Sequence, residues 1–187
     1  MRLFISIQLN DAMRDALTQI QHSMQRQGVR GNFTREENLH LTLAFIGEYP
    51  DPYDVKDIID QIEFDDFAIK LEGLGSFGSL WWAGVRGSDE LKALAKQLRR
   101  ALADAGIPFD RKKFSPHITL VRKPEVTGRG VEGRRTGERR GIPEGADRRR
   151  GIPEGVLSDL PTAEMTVDHI SLMRSERGRH GMIYTEL

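Results

Sequence analysis

The sequence predicts an α+β fold. Three observations carry that expectation. Short runs alternate in polarity with period two, two long stretches carry apolar residues at helical spacing, and one strand pattern occurs twice, as His40-Leu-Thr-Leu-Ala and His117-Ile-Thr-Leu-Val. The 187 residues suffice for one ordinary domain or for two small lobes sharing an interface. Each His-x-Thr-Leu strand follows soon after a long helix, so two similar halves within a single 1–187 domain are expected.

Residues 2–9 alternate in polarity and read as a strand, after which Asn10 or Asp11 caps a helix. Met13, Ala16, Leu17, Ile20 and Met24 recur at helical spacing, and Gly28 is a natural stop. Polar residues 30–38 lead into a strand over 39–46, the turn GEYPDP and a short helix over 53–62. Residues 65–72 and 80–86 read as two strands of an antiparallel meander separated by the glycine-rich GLGSFGS. Ser88 caps a second long helix whose face is Leu91, Leu94, Ala95, Leu98, Ala101 and Leu102. Gly106 and Pro108 end it before a strand over 116–122. A terminal hairpin is expected around SERGRHG at 175–181.

Residues 127–155 depart from this pattern. They hold eight Gly and eight Arg, lack aromatics, and repeat RRGIPEG at 139–145 and 149–155. Such a composition buries too little apolar surface to offset chain entropy, so the segment reads as a disordered insertion. Its net charge is +3 and that of the rest is −3. A solvated low-complexity insertion is the plainer reading, and an arm toward RNA phosphates is the functional one.

Lys+Arg and Asp+Glu both number 28, so no global field favours long nucleic acid or a membrane surface. With no cysteine, disulfides, thiolate metal sites and cysteine nucleophiles are excluded. The N-terminus is unlike a signal peptide or a membrane span, so a cytoplasmic monomer without a membrane partner is expected.

In a strand, His40 and Thr42 share one face while Leu41 and Leu43 share the other; His117 and Thr119 stand likewise against Ile118 and Leu120. Imidazole and hydroxyl then leave the backbone roughly 6–7 Å apart, a span that a phosphate group bridges. Two such strands face to face would surround one phosphate. The fitting chemistry is phosphodiester cleavage, with one imidazole taking a proton from the nucleophile and the other giving one to the leaving oxygen. The threonine hydroxyls would donate to the non-bridging oxygens. No dense cluster of metal-ligand type surrounds either motif, so neither a metal nor a cofactor is expected. By symmetry the residues leave open which histidine is the acid.

HLTLAFIGE and FSPHITLVR resemble the two signature motifs of the two-histidine (2H) phosphoesterase superfamily. More narrowly, the chain resembles the bacterial and archaeal RNA 2′,3′-cyclic phosphodiesterases, long called 2′-5′ RNA ligases. MRLFISIQLND, LWWAGV and ISLMRSERGRHGMIYTEL echo their opening, middle strand and ending, and only 127–155 falls outside the pattern. The resemblance implies a bilobal fold of two antiparallel sheets with flanking helices, a pseudo-two-fold axis and a cleft between the lobes. It implies His40 as proton donor, His117 as proton acceptor, and Thr42 and Thr119 as phosphate ligands. The implied substrate is RNA, or a nucleotide, with a 2′,3′-cyclic phosphate, opened to the 2′-phosphate with weak reversible 2′-5′ ligation. Activity on 2′,5′-oligoadenylate or a cyclic ADP-ribose phosphate, and a non-catalytic RNA-end binder, are the alternatives.

Arg122 follows the second motif one residue out of phase with the His/Thr face, and is either a phosphate ligand at the strand end or solvated. His22 reads as a surface residue, His169 as a satisfied strand histidine and His180 as an exposed turn residue. Trp81 and Trp82 must face opposite ways, so at most one lines the cleft. Phe4 reads as core, with a base platform as its functional alternative.

Overall fold

The computed structural model describes residues 1–87, 89–127, 151–179 and 181–187. The expectations for Ser88, His180 and residues 128–150 lie outside the described residues.

Among the described residues, nine strands form two antiparallel sheets. The first has the order β3-β1-β8-β9, built from β1 (Arg2–Gln8), β3 (His40–Glu48), β8 (Ser171–Gly178) and β9 (Gly181–Glu186). The second has the order β2-β6-β5-β4-β7, built from β2 (Val29–Phe33), β4 (Phe67–Phe77), β5 (Leu80–Gly87), β6 (His117–Val126) and β7 (Glu164–Val167). Within each sheet a His-x-Thr strand pairs with a strand from earlier in the chain, β3 with β1 and β6 with β5.

Helix α1 (Asp11–Arg26) opens on Asn10, whose Oδ1 accepts the Met13 amide at 2.9 Å. Its buried stripe is the expected Met13, Ala16, Leu17, Ile20 and Met24, with Gln21 added. Although α1 follows a strand of the first sheet, it packs on β2, β6 and β7 of the second. Helices α2 (Pro52–Asp60) and α3 (Asp89–Asp104) pack together, with α3 on β3 and α2 on β8 of the first sheet. The chain thus crosses between lobes, and one hydrophobic core runs through both. Leu91, Leu94, Ala95, Leu98 and Leu102 of α3 enter that core, while Ala101 stays half-buried. Gly28 and Gly106 end their helices at φ +82° and +72°.

The polar stretch after Gly28 forms a strand that the sequence reading left out. β2 is an edge strand, exposed over Arg30, Gly31 and Asn32, and its amphipathic signal is correspondingly faint. The flanks of the 127–155 segment are described and anchored. Thr127 donates its amide to the Gly28 carbonyl at 2.8 Å, Ile152 is buried, and a short α4 (Glu154–Leu157) packs on α1. Among the described residues no helix is long and apolar enough to cross a membrane.

Candidate active site

His40 and Thr42 of β3 and His117 and Thr119 of β6 line one cleft of about 470 Å³, a volume suited to a small ligand. Its position follows from register. On β1, Gln8 faces His40 and Ser6 faces Thr42; on β5, Gly84 faces His117 and Trp82 faces Thr119.

Just past the threonine, both strands carry a bulge. Ser6 faces Thr42 but Ile5 faces Ala44, so Leu43 is an extra residue; Trp82 faces Thr119 but Trp81 faces Val121, so Leu120 is another. Consequently Leu43 and Ala44, and likewise Leu120 and Val121, are all buried. The next residue on each strand, Phe45 or Arg122, is returned to the cleft face. Strict alternation placed Arg122 out of phase; the bulge corrects this, and Arg122 lines the cleft with the histidines. Behind the second bulge, the buried Gln21 of α1 donates to the carbonyls of Leu120 at 2.9 Å and Thr34 at 2.7 Å. The Leu120 carbonyl also accepts the Thr34 amide at 2.9 Å, so Gln21 ties the bulge to α1 through a second bond.

The two imidazoles are held alike. His40 Nδ1 donates to the Asn38 carbonyl at 2.7 Å and His117 Nδ1 to the Ser115 carbonyl at 2.6 Å. A carbonyl partner fixes the Nδ1–H tautomer, so each neutral ring presents Nε2 as a proton acceptor. Asn38 is itself fixed, its Nδ2 donating to the Met182 carbonyl at 2.8 Å. Aromatic rings brace both imidazoles. Phe4 lies 4.8 Å and Tyr184 5.3 Å from His40, and Phe77 lies 5.2 Å and Trp82 6.1 Å from His117, centroid to centroid. Sequence reasoning missed Asn38, Gln21, Phe77 and Tyr184. Asn38, Gln21 and Phe77 lie outside the family-like stretches, and Tyr184, though in the family-like ending, reaches His40 only through the tertiary fold.

The remaining expectations resolve as follows. Phe4 is buried, as the core reading expects, and it also lines the cleft. Trp81 joins the hydrophobic core while Trp82 stands beside His117, so one tryptophan faces each way. His22 is exposed. His169 is not in a strand: it lies between β7 and β8, exposed, with Nδ1 2.5 Å from Asp168 Oδ1. Asp-His-Ile follows the last β7 residue, and polar 168–169 break the apolar run that suggested one continuous strand.

Burial holds the pKa of His40 below its usual 6.5; the hydrogen bond to Asn38 opposes this, and the positive charges of Arg122 and His117 add to the lowering. Because the folded value is depressed, His40 contributes stability that is complete above pH 6.5 and is lost as pH falls through the folded value. A phosphate anion between the two rings opposes the charges of Arg122 and His117. Inorganic phosphate is therefore expected to raise the His40 titration midpoint, followed through its ring proton NMR signals. A midpoint unmoved at saturating phosphate would show that the anion binds elsewhere.

Two sheets that each bring a His-x-Thr strand to a shared cleft define a two-histidine phosphoesterase architecture. The family model described as the 2′-5′ RNA ligase superfamily matches residues 9–134. An RNA 2′,3′-cyclic phosphodiesterase of Thermotoga maritima is 33% identical over 132 residues, covering 65% of this chain and 70% of that protein. The crystal structure of a Thermus thermophilus protein aligns with TM-score 0.70 at 26% identity, over 100% of this chain and 95% of that one. Escherichia coli LigT complexed with 3′-AMP aligns with TM-score 0.69 at 25% identity, over 100% of this chain and 94% of that one. The chain belongs to the 2′-5′ RNA ligase superfamily.

Proposed function

We propose that this protein is an RNA 2′,3′-cyclic phosphodiesterase that opens the terminal cyclic phosphate to a 2′-phosphate, using side chains alone. The observation that carries the reading is the paired imidazoles, each with Nδ1 tied to a backbone carbonyl and Nε2 without a protein partner among the described residues, in one cleft with two threonines. The names of the relatives agree with it, and 3′-AMP in the LigT structure is a nucleotide monophosphate of the same class.

In this reading His117 Nε2 takes a proton from water as its oxygen bonds to phosphorus. The bond from phosphorus to the 3′ oxygen breaks, and that oxygen takes the proton from His40 Nε2. Each ring ends in the other's starting state, and exchange with solvent resets both. Thr42, Thr119 and Arg122 hold the non-bridging oxygens, where charge gathers in the transition state. With an RNA 5′-hydroxyl in place of water, the same two transfers form a 2′-5′ bond, and reversal cleaves it. The roles of donor and acceptor follow the family resemblance. Burial, with the charges of Arg122 and His117, lowers the pKa of His40, and a bound phosphate would oppose those two charges and favour the protonated donor.

The test is incubation with a defined oligonucleotide 2′,3′-cyclic phosphate in excess EDTA, with products read by phosphorus NMR. Conversion to the 2′-phosphate is expected. Conversion to the 3′-phosphate would reverse the leaving-group assignment, and loss of turnover in EDTA would refute the metal-free mechanism. Tight RNA binding without product would instead favour the non-catalytic end binder.

A further inference from the structure

The phosphate site leaves one cleft cation unexplained. Arg2, at the start of β1, lines the cleft and carries its guanidinium over the Phe45 ring, 5.0 Å from the centroid. Among the described residues this stacking is its only side-chain interaction. Stacking on an aromatic face leaves the in-plane N–H edge of a guanidinium free, the edge that pairs with phosphate oxygens. Phe45 is the first-lobe counterpart of Arg122, since both follow the bulges. The second lobe thus supplies its cation from the motif strand itself, and the first supplies one from the neighbouring strand, held by the ring.

Register fixes how far the Phe45 ring, over which the Arg2 guanidinium is held, lies from the phosphate site. Phe45 faces Phe4, and Thr42 faces Ser6. Two residues along β1 separate these rungs, about 7 Å of strand. That is the reach of one nucleotide. Beyond Arg2 the surface continues into a second concavity of about 560 Å³, which shares Arg2, Ser175 and Met182 with the cleft and includes Arg177. Its carboxylates are engaged. Glu48 lies 3.5 Å from the N-terminal ammonium and Glu176 3.1 Å from Arg174. Asp110, the acidic group of the cleft itself, lies 3.3 Å from Lys112. Glu48 is the register partner of Arg2, yet among the described residues neither Arg2 nor Arg177 forms an ion pair, and both lie along one path.

We propose that Arg2 binds the phosphodiester on the 5′ side of the terminal nucleoside, so that the protein selects RNA strand ends over free cyclic nucleotides. The strand leaves the cleft between the start of β1 and the β8–β9 hairpin. This rests on the cyclic phosphodiesterase reading and adds a second anion subsite to it.

The test compares two dinucleotides ending in a 2′,3′-cyclic phosphate, one with a natural internal phosphodiester and one with an uncharged methylphosphonate. Wild-type protein is expected to favour the charged linkage about tenfold in kcat/KM, mainly through KM, the size of one charge-assisted hydrogen bond. Arg2→Ala and Arg2→Gln are expected to bring that ratio close to one, and Arg2→Lys to restore part of it. Two outcomes would overturn the subsite alone: a wild-type protein indifferent to the linkage charge, or an Arg2→Ala protein that loses activity on both substrates with the ratio intact. Wild-type protein inert on both would overturn the cyclic phosphodiesterase reading, and the subsite with it.

Discussion

Replacing either His40 or His117 by alanine is expected to lower kcat on a 2′,3′-cyclic phosphate by about 10²–10⁴-fold, the usual contribution of a positioned acid or base. The double replacement should cost little more than either single one, because donor and acceptor act in the same transition state and removing one strands the other. His40 forms a three-ring cluster with Phe4 and Tyr184, so alanine there also opens a hole in it. Asparagine at 40 keeps polarity and part of the volume while removing the titrating nitrogen, and it should be as inactive as alanine. If His40→Asn and His117→Asn proteins, folded by circular dichroism, retain more than a tenth of wild-type kcat, the two-histidine mechanism is wrong. The profile of kcat/KM against pH supplies an independent reading. It reports groups of the free protein, where His40 titrates below 6.5, so its alkaline limb should begin below that pH if His40 is the donor. The kcat profile, which reports the bound state, should carry that limb to higher pH, because the substrate phosphate offsets the charges of Arg122 and His117. Coincident limbs would show that the limb does not belong to a group whose pKa the substrate phosphate raises, and so would count against His40 as donor.

The fold was largely legible because its signals are local. Helices α1 and α3 announce their buried faces at helical spacing, and Asn10 and Gly28 mark where the first begins and ends. His40 and His117 were legible for a different reason: one polar pattern occurs twice, and a strand's period of two puts His and Thr on one face. The phase of Arg122 was misread although its signal is present in the sequence. Leu43-Ala44 and Leu120-Val121 are adjacent apolar pairs that break the alternation at the same place in both motifs, which is what a bulge burying two consecutive residues requires. Asn38 and Gln21 were not legible at all. A buried amide looks like any surface amide until tertiary structure shows the carbonyl it serves, Met182 in one case and Leu120 in the other. Tyr184 is likewise separated from His40 by most of the chain, and only the β1–β8–β9 ladder brings it alongside.

Gly84, the register partner of His117, is expected to be the costliest small substitution beside the cleft. A Cβ added there would stand 2.2 Å from the Glu72 carbonyl oxygen, far inside van der Waals contact. That oxygen belongs to the β4 backbone, within the register shift between Leu71 and Leu74, and cannot rotate away as a flexible side chain would. Relief requires β4 and β5 to part, or β5 to move toward β6, and either motion displaces the strand that His117 rests on. Overpacking of this kind costs about 1–3 kcal/mol. At this chain length each kcal/mol lowers Tm by about 2–4 °C, so Gly84→Ala should melt several degrees below wild type, and Gly84→Val lower still. The functional loss should exceed what instability explains. Assayed well below its melting transition, Gly84→Ala should still lose kcat/KM, because a shift of about 1 Å in a catalytic group costs on the order of 10²-fold. A Gly84→Ala protein with wild-type Tm would show that the β4 bulge yields freely, and full activity in a destabilised one would show that His117 does not take its position from β5.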